Sequence, residues 1–466
     1  MYPAFTVAEV RRAEQLELDR LGEDVLMRRA ARGLATVVLE ELRRSAGRVY
    51  GNRVLLVVGS GNNGGDGLWA GVTLARRGVR VSAWRTGSAV HAAGWAAFLA
   101  AGGRELDAAG ALAELSRAAV VVDAVTGLGG RAGLRPEVAG FAAACATRRV
   151  PVVAVDLPSG IPADPPFVVP APAHFPATTT VSFGGRKLCQ AIEPARSACG
   201  RLVLVDIGLG TMTPEVVCWE SADVLAHWPV PGPSDDKYSR GVVGIDAGSA
   251  SYPGAGVLAT TGAVRAGAGM VRFVGVPEVA ATVVERLPNV VAAPGRVQSM
   301  VLGSGWGRRP DGARIVAAAI DGGLPVVLDA DALTLLPEVL HADVLLTPHA
   351  GELARLLDVP REQITADPVA AARQAVAQTG ATVLLKGASQ VVATPGHEAV
   401  ELAVPGPAWT AQAGSGDLLA GICGALLAAG LPVRLAAVLA ASAQALAAAR
   451  QGGVPPQELD LQAALG

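Results

Sequence analysis

The sequence predicts an α/β protein built as two consecutive domains, each a three-layer αβα sandwich, and three observations carry that reading. At 466 residues the chain is too long for one ordinary core. Short runs rich in Val, Ile and Leu alternate with segments of helical periodicity along nearly its whole length. The alternation is interrupted by one segment, HWPVPGPSDDKYSRG from His227 to Gly241, whose Pro, Gly, Ser and Asp content marks a linker. The expected domains are therefore 1–225 and 226–466.

Thr6 and Glu9 have capping-box spacing at the head of a long amphipathic segment that ends near Leu42. RVLLVV, VRVSAW, AAVVVDAV, VPVVAVD, TTTVSF and RLVLVDIG follow in turn. They are apolar on both faces and separated by crossover-length segments, as parallel strands between helices must be. Beyond the linker GVVGIDAG, GMVRFVGV, SMVLGSG, PVVLDADA, ADVLLTPHAGE and ATVLLKGAS repeat the pattern, and a helical block from Ser415 to Gln451 closes it.

Composition excludes several function classes. A net charge of -2 and a pI near 6.3 give no electrostatic case for nucleic acid or an anionic membrane surface. The N-terminus lacks a basic segment followed by an apolar one, and the apolar stretches near the end are broken by Pro432, Arg434 and Gln444. A soluble, cytoplasmic protein without membrane partners is expected, and a homo-oligomer. The five cysteines show no C-x-x-C pairing and read as free thiols. Only three of the 39 basic residues are lysines, Lys187, Lys237 and Lys386. Scarcity singles out the lysines that arginine cannot replace, Lys386 foremost.

In the first domain the stretch GSGNNGGDGLWAG holds a literal G-x-G-x-x-G in Gly59, Gly61 and Gly64 directly after a strand. Read as a dinucleotide site, it would use Arg85, after the next strand, for a ribose 2'-phosphate. The same loop carries Asn62, Asn63 and Asp66, and an acid aimed at a pyrophosphate repels it. The alternative is a site of carboxylates and amides. Asn63, Asp123 and Ser159 offer hard oxygen ligands to a cation, while Asp66 and Asp156 contact a polar ligand or move protons. Against both stands the plain reading that Asn-Gly and Asp-Gly make turns.

In the second domain QAGSGDLLAG places small residues and an acid at the mouth of an apolar helix. Backbone N–H groups of Gly414, Ser415 and Gly416 can bind phosphate oxygens, and Asp417 can act as general base on a hydroxyl approaching them. Lys386 can sit against a phosphate and Glu352 can position magnesium, although Glu352 and His349 also suit a helix cap. No P-loop motif exists in the chain.

GSGNNGGDGLWAG, VVDAVTGLGG and AVDLPSG resemble the signatures of NAD(P)H-hydrate epimerases, the YjeF N-terminal domains, over roughly residues 1 to 220. The resemblance implies a Rossmann-like fold that binds the hydrated nucleotide. Its contacts would be Asn62, Asn63, Gly64, Gly65 and Asp66, the loop Gly127, Leu128, Gly129, Gly130, Arg131, Ala132 and Gly133, and Asp156. It further implies potassium on Asn63, Asp123 and Ser159, with Asp156 as acid/base residue. Arg28 and Arg29 stand where the family commonly has an acid and an amide.

PGAGVLATTGAVRAGAGMV, VLDADAL, LTPHAGELARLL, LLKGA and AGSGDLLAG resemble the ribokinase-like ADP/ATP-dependent NAD(P)H-hydrate dehydratases over residues 237 to 450. This implies nucleotide contacts at Lys386, Gly387, Ala388, Ser389 and Gln390 and from Ala408 to Gly416. Hydrate contacts would be Gly267, His349 and Asp417, with Mg2+ and ADP or ATP as phosphoryl donor. The expected function is repair of NADHX and NADPHX by R/S epimerisation followed by nucleotide-dependent dehydration of the S-hydrate. Two alternatives are an NADP-dependent dehydrogenase fused to a small-molecule kinase, and a non-catalytic N-terminal binding module fused to the dehydratase.

Overall fold

The apolar runs form strands, and the fold follows from how they pair in a computed structural model describing residues 1–338, 340–341 and 343–465. Two compact units emerge, one of Pro3–Glu215 and the other of Val216–Gly466 with Met1–Tyr2.

In the first unit the strands are β1 (Tyr2–Phe5), β2 (Arg53–Val58), β3 (Arg80–Arg85), β4 (Arg104–Leu106), β5 (Val120–Ala124), β6 (Val152–Val155), β7 (Thr179–Phe183), β8 (Arg186–Lys187) and β9 (Arg201–Val205). Seven of them form one parallel sheet in the order β4-β3-β2-β5-β6-β7-β9. Strand order reverses between β2 and β5, so a crevice opens where their carboxyl ends diverge, the usual ligand position in such sheets. The short β1 and β8 pair with each other outside it. The N-terminal amphipathic segment is two helices, Val7–Leu21 and Glu23–Ala46, because Gly22 adopts a left-handed φ of 85° between them. Thr6 caps the first by accepting from Glu9 N. The Glu9 carboxylate turns to Arg12 and Thr213 instead of closing the box.

In the second unit the strands are β10 (Val216–Cys218), β11 (Val242–Asp246), β12 (Met270–Phe273), β13 (Ser299–Leu302), β14 (Val326–Leu328), β15 (Val344–Leu346), β16 (Thr382–Leu385), β17 (Val391–Ala393) and β18 (Val400–Leu402). Their order is β12-β11-β13-β14-β15-β16-β17-β18-β10. Pairing is parallel from β12 to β16; β17 runs antiparallel to both its neighbours. The unit boundary lies between Glu215 and Val216, ahead of the expected one after residue 225, for a physical reason. β10 pairs with β18, and the Trp219 indole donates to Glu401, so the chain has joined the second sheet before it reaches the proline-rich segment.

The helical block splits at Gly430–Pro432 into Ser415–Ala428 and Val433–Gln451. The first is buried from Leu418 onward, apolar on every side because it lies in the middle of the core. The second is long and apolar enough to cross a membrane, yet most of it is packed inside the same core. All five cysteines are buried and none is in a disulfide.

Candidate active sites

In the first unit the Gly59–Gly61 turn joins β2 to the helix Asn62–Arg76. Gly59 and Gly64 are explained by close packing. A Cβ on Gly59 would lie 1.9 Å from the Val125 carbonyl oxygen, and one on Gly64 2.3 Å from the Gly59 carbonyl. The helix can therefore start directly against the strand ends. A cavity of about 450 Å³ opens there, lined among others by Glu14, Asn62, Asn63, Asp66, Gly127 to Gly130 and Asp156. Gly64 and Gly65 are buried behind it, and Arg131, Ala132 and Gly133 continue the loop beyond its wall. Arg85 is ion-paired with Glu105 at 2.5 Å and stacks on Trp95. The dinucleotide reading thus loses its ribose-phosphate partner.

Asp156 follows β6 with a φ of 66°, a left-handed conformation uncommon outside glycine. Its amide donates to Val181 O, and its carbonyl accepts from Gln190 Nε2 at 2.7 Å. The carboxylate meets Lys187 Nζ at 2.5 Å, with Lys187 only 1% exposed and donating also to Ser182 Oγ and Phe183 O. Lys187 is the site residue that sequence reasoning ranked too low; its signal was the scarcity of lysine.

Beneath the cavity Asp123 is completely buried. Its oxygens accept from Ser159 N (2.7 Å), Ser159 Oγ (2.6 Å) and Val125 N (3.3 Å), all neutral donors. Desolvation outweighs these bonds and lifts its pKa to about 7. Asn63 Nδ2 donates to Val155 O, and its Oδ1 faces Gly127, where a Cβ would come within 2.8 Å. Arg28 and Arg29 have structural partners, Asp24 and the Trp69 ring for the first and Ile207 O for the second.

In the second unit the ends of β13 to β16 converge on the turn that opens Ser415–Ala428. Gly414 has a φ of 88°, and a Cβ there would strike Leu258 Cδ1 at 2.4 Å. First-turn amides lack intrahelical acceptors, which leaves Gly416 N–H available, whereas Ser415 N–H is engaged by Gln412 O at 3.2 Å. Lys386 Nζ lies 2.6 Å from Asp329 Oδ1 and would be 3.1 Å from a Cβ on Gly416. Asp329 also accepts from Thr347 Oγ1 and Ser304 Oγ, so Ser304, at the Gly-rich end of β13, is a second residue the sequence reading missed. Burial opposes the Lys386 charge, but Asp329, Glu352 and Asp417 together raise its pKa above the usual lysine value. Asp417 is pushed up to about 6, first by burial and then by Asp329, against Lys386 and a Ser304 hydrogen bond.

His349 and Glu352 form the capping box of helix Ala350–Leu357: Nδ1 of His349 accepts from Gly351 and Glu352, and Glu352 accepts from His349 N at 2.8 Å. Gly387, Ala388, Ser389 and Gln390 form the hairpin loop between β16 and β17, next to Lys386. Gly267 is not brought to this cluster. It precedes the edge strand β12, at the amino ends of the strands and not the carboxyl ends where the cluster lies, with its carbonyl accepting from Arg240.

Two family models cover most of the chain: "YjeF-related protein N-terminus" matches residues 23–189 and "NAD(P)H-hydrate dehydratase" residues 243–454. The bifunctional NAD(P)H-hydrate repair enzyme of Mycobacterium tuberculosis (strain ATCC 25618 / H37Rv) is 46% identical over 440 residues, 92% of this chain and 89% of that protein. The chain belongs to the bifunctional NAD(P)H-hydrate repair enzyme family. A second member, from Mycobacterium leprae (strain TN), is 44% identical over 97% of this chain and 94% of its own. Among solved structures, an ADP/ATP-dependent NAD(P)H-hydrate dehydratase from Bacillus subtilis, co-crystallized with ATP/Mg2+, superposes with a TM-score of 0.50. It is 25% identical and covers 53% of this chain and 97% of that one. The second unit has this ribokinase-like fold.

The two implied metals can be tested against the residues that this repair enzyme family member carries. Among the described residues the buried Asp123 carboxyl has no cationic partner, and Thr126 Oγ1 is a buried oxygen without a hydrogen bond. A monovalent cation fits such an oxygen-only set. Among the described residues no group of three or more His, Cys, Asp or Glu is arranged for a metal. Magnesium is commonly held by one or two carboxylates plus phosphate oxygens, a role that Glu352 in the second unit fits.

Proposed function

We propose that the cavity of the first unit interconverts the R and S hydrates of NADH and NADPH, and that the Asp417 turn of the second dehydrates the S form with ADP or ATP as phosphoryl donor. Hydration of the C5–C6 double bond puts a hydroxyl on the ring, and repair must remove it. Asp417, ionised, takes the hydroxyl proton as the phosphoryl group arrives. The amides of Gly414 and Gly416, the helix dipole and Lys386 stabilise the phosphate charge. The C–O bond to the new phosphate then breaks, C5 gives up a proton, and the double bond returns with release of phosphate and AMP or ADP. Magnesium, when bound through Glu352, neutralises phosphate charge. The hairpin Lys386 to Gln390 and the Ala408 to Gly416 loop are assigned to the adenine nucleotide, and His349 and Asp417 to the hydrate. Gly267 is left out of this assignment because it precedes β12, at the amino ends of the strands.

In the first unit Asn62, Asn63, Asp66 and the Gly127 to Gly130 part of the loop are assigned to the hydrated nucleotide. Asn63, Asp123 and Ser159 would hold potassium, whose charge would balance Asp123. Asp156 is the acid/base residue at the inverted carbon.

The single observation that carries the reading is a partly buried aspartate beside free helix N-terminal amides and a lysine, in a chain of this family. Incubating the protein with mixed hydrate epimers and ADP or ATP, and following nicotinamide absorbance, tests it. Nucleotide-dependent recovery is expected; hydride transfer from intact NADPH would favour the dehydrogenase alternative instead.

A further inference from the structure

The first cavity holds a carboxyl with surroundings opposite to those of Asp156. Asp66 sits on the second turn of helix Asn62–Arg76, lines the cavity, and is 9% exposed. Among the described residues no donor hydrogen-bonds its side chain and no cation pairs with it. The charged groups that bear on it are both acids, Asp156 across the cavity and Glu14 from helix Val7–Leu21. Lys187 and Arg11 act on Glu14, Lys187 binds Asp156, and His91 abuts the same helix at Gly65. A buried carboxylate without donors is strongly disfavoured and holds its proton. Desolvation, then Asp156 and Glu14, all push Asp66 in that direction, well above the ordinary carboxyl range.

We propose that Asp66 is the proton donor of epimerisation and that Asp156, ion-paired with Lys187, is the paired acceptor. This rests on the reading of the cavity as the epimerase site. Of two carboxyls in one cavity, the one without a donor suits the acid role and the one beside a lysine the base role. The hydrate carries its hydroxyl on C6, beside ring nitrogen N1. Asp66 protonates that hydroxyl, the C6–O bond breaks with its electron pair leaving as water, and the N1 lone pair stabilises the cation. Water adds to the opposite face, forming the new C6–O bond and giving a proton to Asp156. Passage of that proton back to Asp66 through water restores both groups. No further reactant is needed. Lys187 is a positioning residue in this scheme.

The test is R/S interconversion by the full-length protein, with ADP-dependent dehydration of the S-hydrate in the same sample reporting the fold. Asp66→Asn is expected to lower kcat for interconversion by about a hundredfold or more with little change in KM, in line with loss of a general acid. Asp66→Glu, which keeps a carboxyl, is expected to stay within about tenfold of wild type. Wild-type kcat should fall as pH rises through the raised Asp66 pKa, and Asp66→Asn should lack that alkaline limb. An Asp66→Asn protein with wild-type rate and the limb intact overturns the donor role, while Asp156→Asn inactivity in the same assay keeps the cavity as the site. If Asp156→Asn also interconverts normally, the reading of the cavity itself fails. Should Asp66→Asn not fold, a flat alkaline profile in wild type alone overturns the proposal.

Discussion

Asp417 is where residue chemistry and function meet most closely. Its pKa of about 6 reflects burial first and the Asp329 charge second, so at neutral pH most of it is ionised yet still basic enough to accept a hydroxyl proton. The sign follows: a raised pKa means the base takes up its proton at higher pH than an exposed aspartate would. Dehydration kcat/KM should drop about tenfold per pH unit once pH falls below that point, which a pH–rate profile with S-hydrate and ADP will show. Lys386→Met should both abolish nucleotide-dependent repair and destabilise the fold by about 3 kcal/mol or more, because Asp329, 1% exposed, would lose its cation. Denaturant titration checks the second part; a double variant with Asp329→Asn should recover stability without recovering activity. Lys386 was visible in the sequence through the rarity of lysine and its place after an apolar run. Lys187 carried the same signal, but its partner Asp156 lies 31 residues earlier and only the neighbouring ends of β6 and β7 bring them together.

At the scale of elements, the helices Pro253–Arg265 and Ser415–Ala428 cross in contact because both carry glycine at the crossing. A Cβ on Gly421 would lie 1.8 Å from the Ala259 carbonyl oxygen, and one on Gly262 2.1 Å from that of Leu418. Both obstacles are backbone, so nothing flexible can yield. Gly421→Ala should cost about 1–3 kcal/mol, read as a lowered Tm, and should weaken nucleotide use because the same helix presents the Gly414–Asp417 turn. The twelve apolar runs were legible because each is bounded by turn residues and most are buried on both faces, β9 and β12 being the exceptions. β17 and β18 went unread as a short antiparallel hairpin after the last parallel strand, and β10 because it stands ahead of the segment that reads as a linker. The break at Gly22 was hidden for another reason: the apolar pattern runs on through it, and only the left-handed turn separates the helices.

At the scale of the whole chain, each unit owns a parallel or mostly parallel sheet and a candidate site at the carboxyl ends of its parallel strands, so the two activities should separate by mutation. Asp156→Ala should slow R/S interconversion and leave S-hydrate dehydration at its wild-type rate; loss of both together would indicate misfolding. The two-domain α/β architecture was readable from the alternation of apolar and amphipathic segments alone. Which loops meet was not, and Gly267 shows why: the resemblance assigns it to the hydrate, while the sheet puts it ahead of β12, at the amino ends of the strands. The most direct measurement supplies an equal mixture of the two hydrate epimers with ADP, Mg2+ and K+, and compares wild type with Asp417→Ala. Wild type should return the whole mixture to NADH or NADPH, and the variant none of it while still equilibrating the epimers. Recovery by the variant at the wild-type rate would contradict the account.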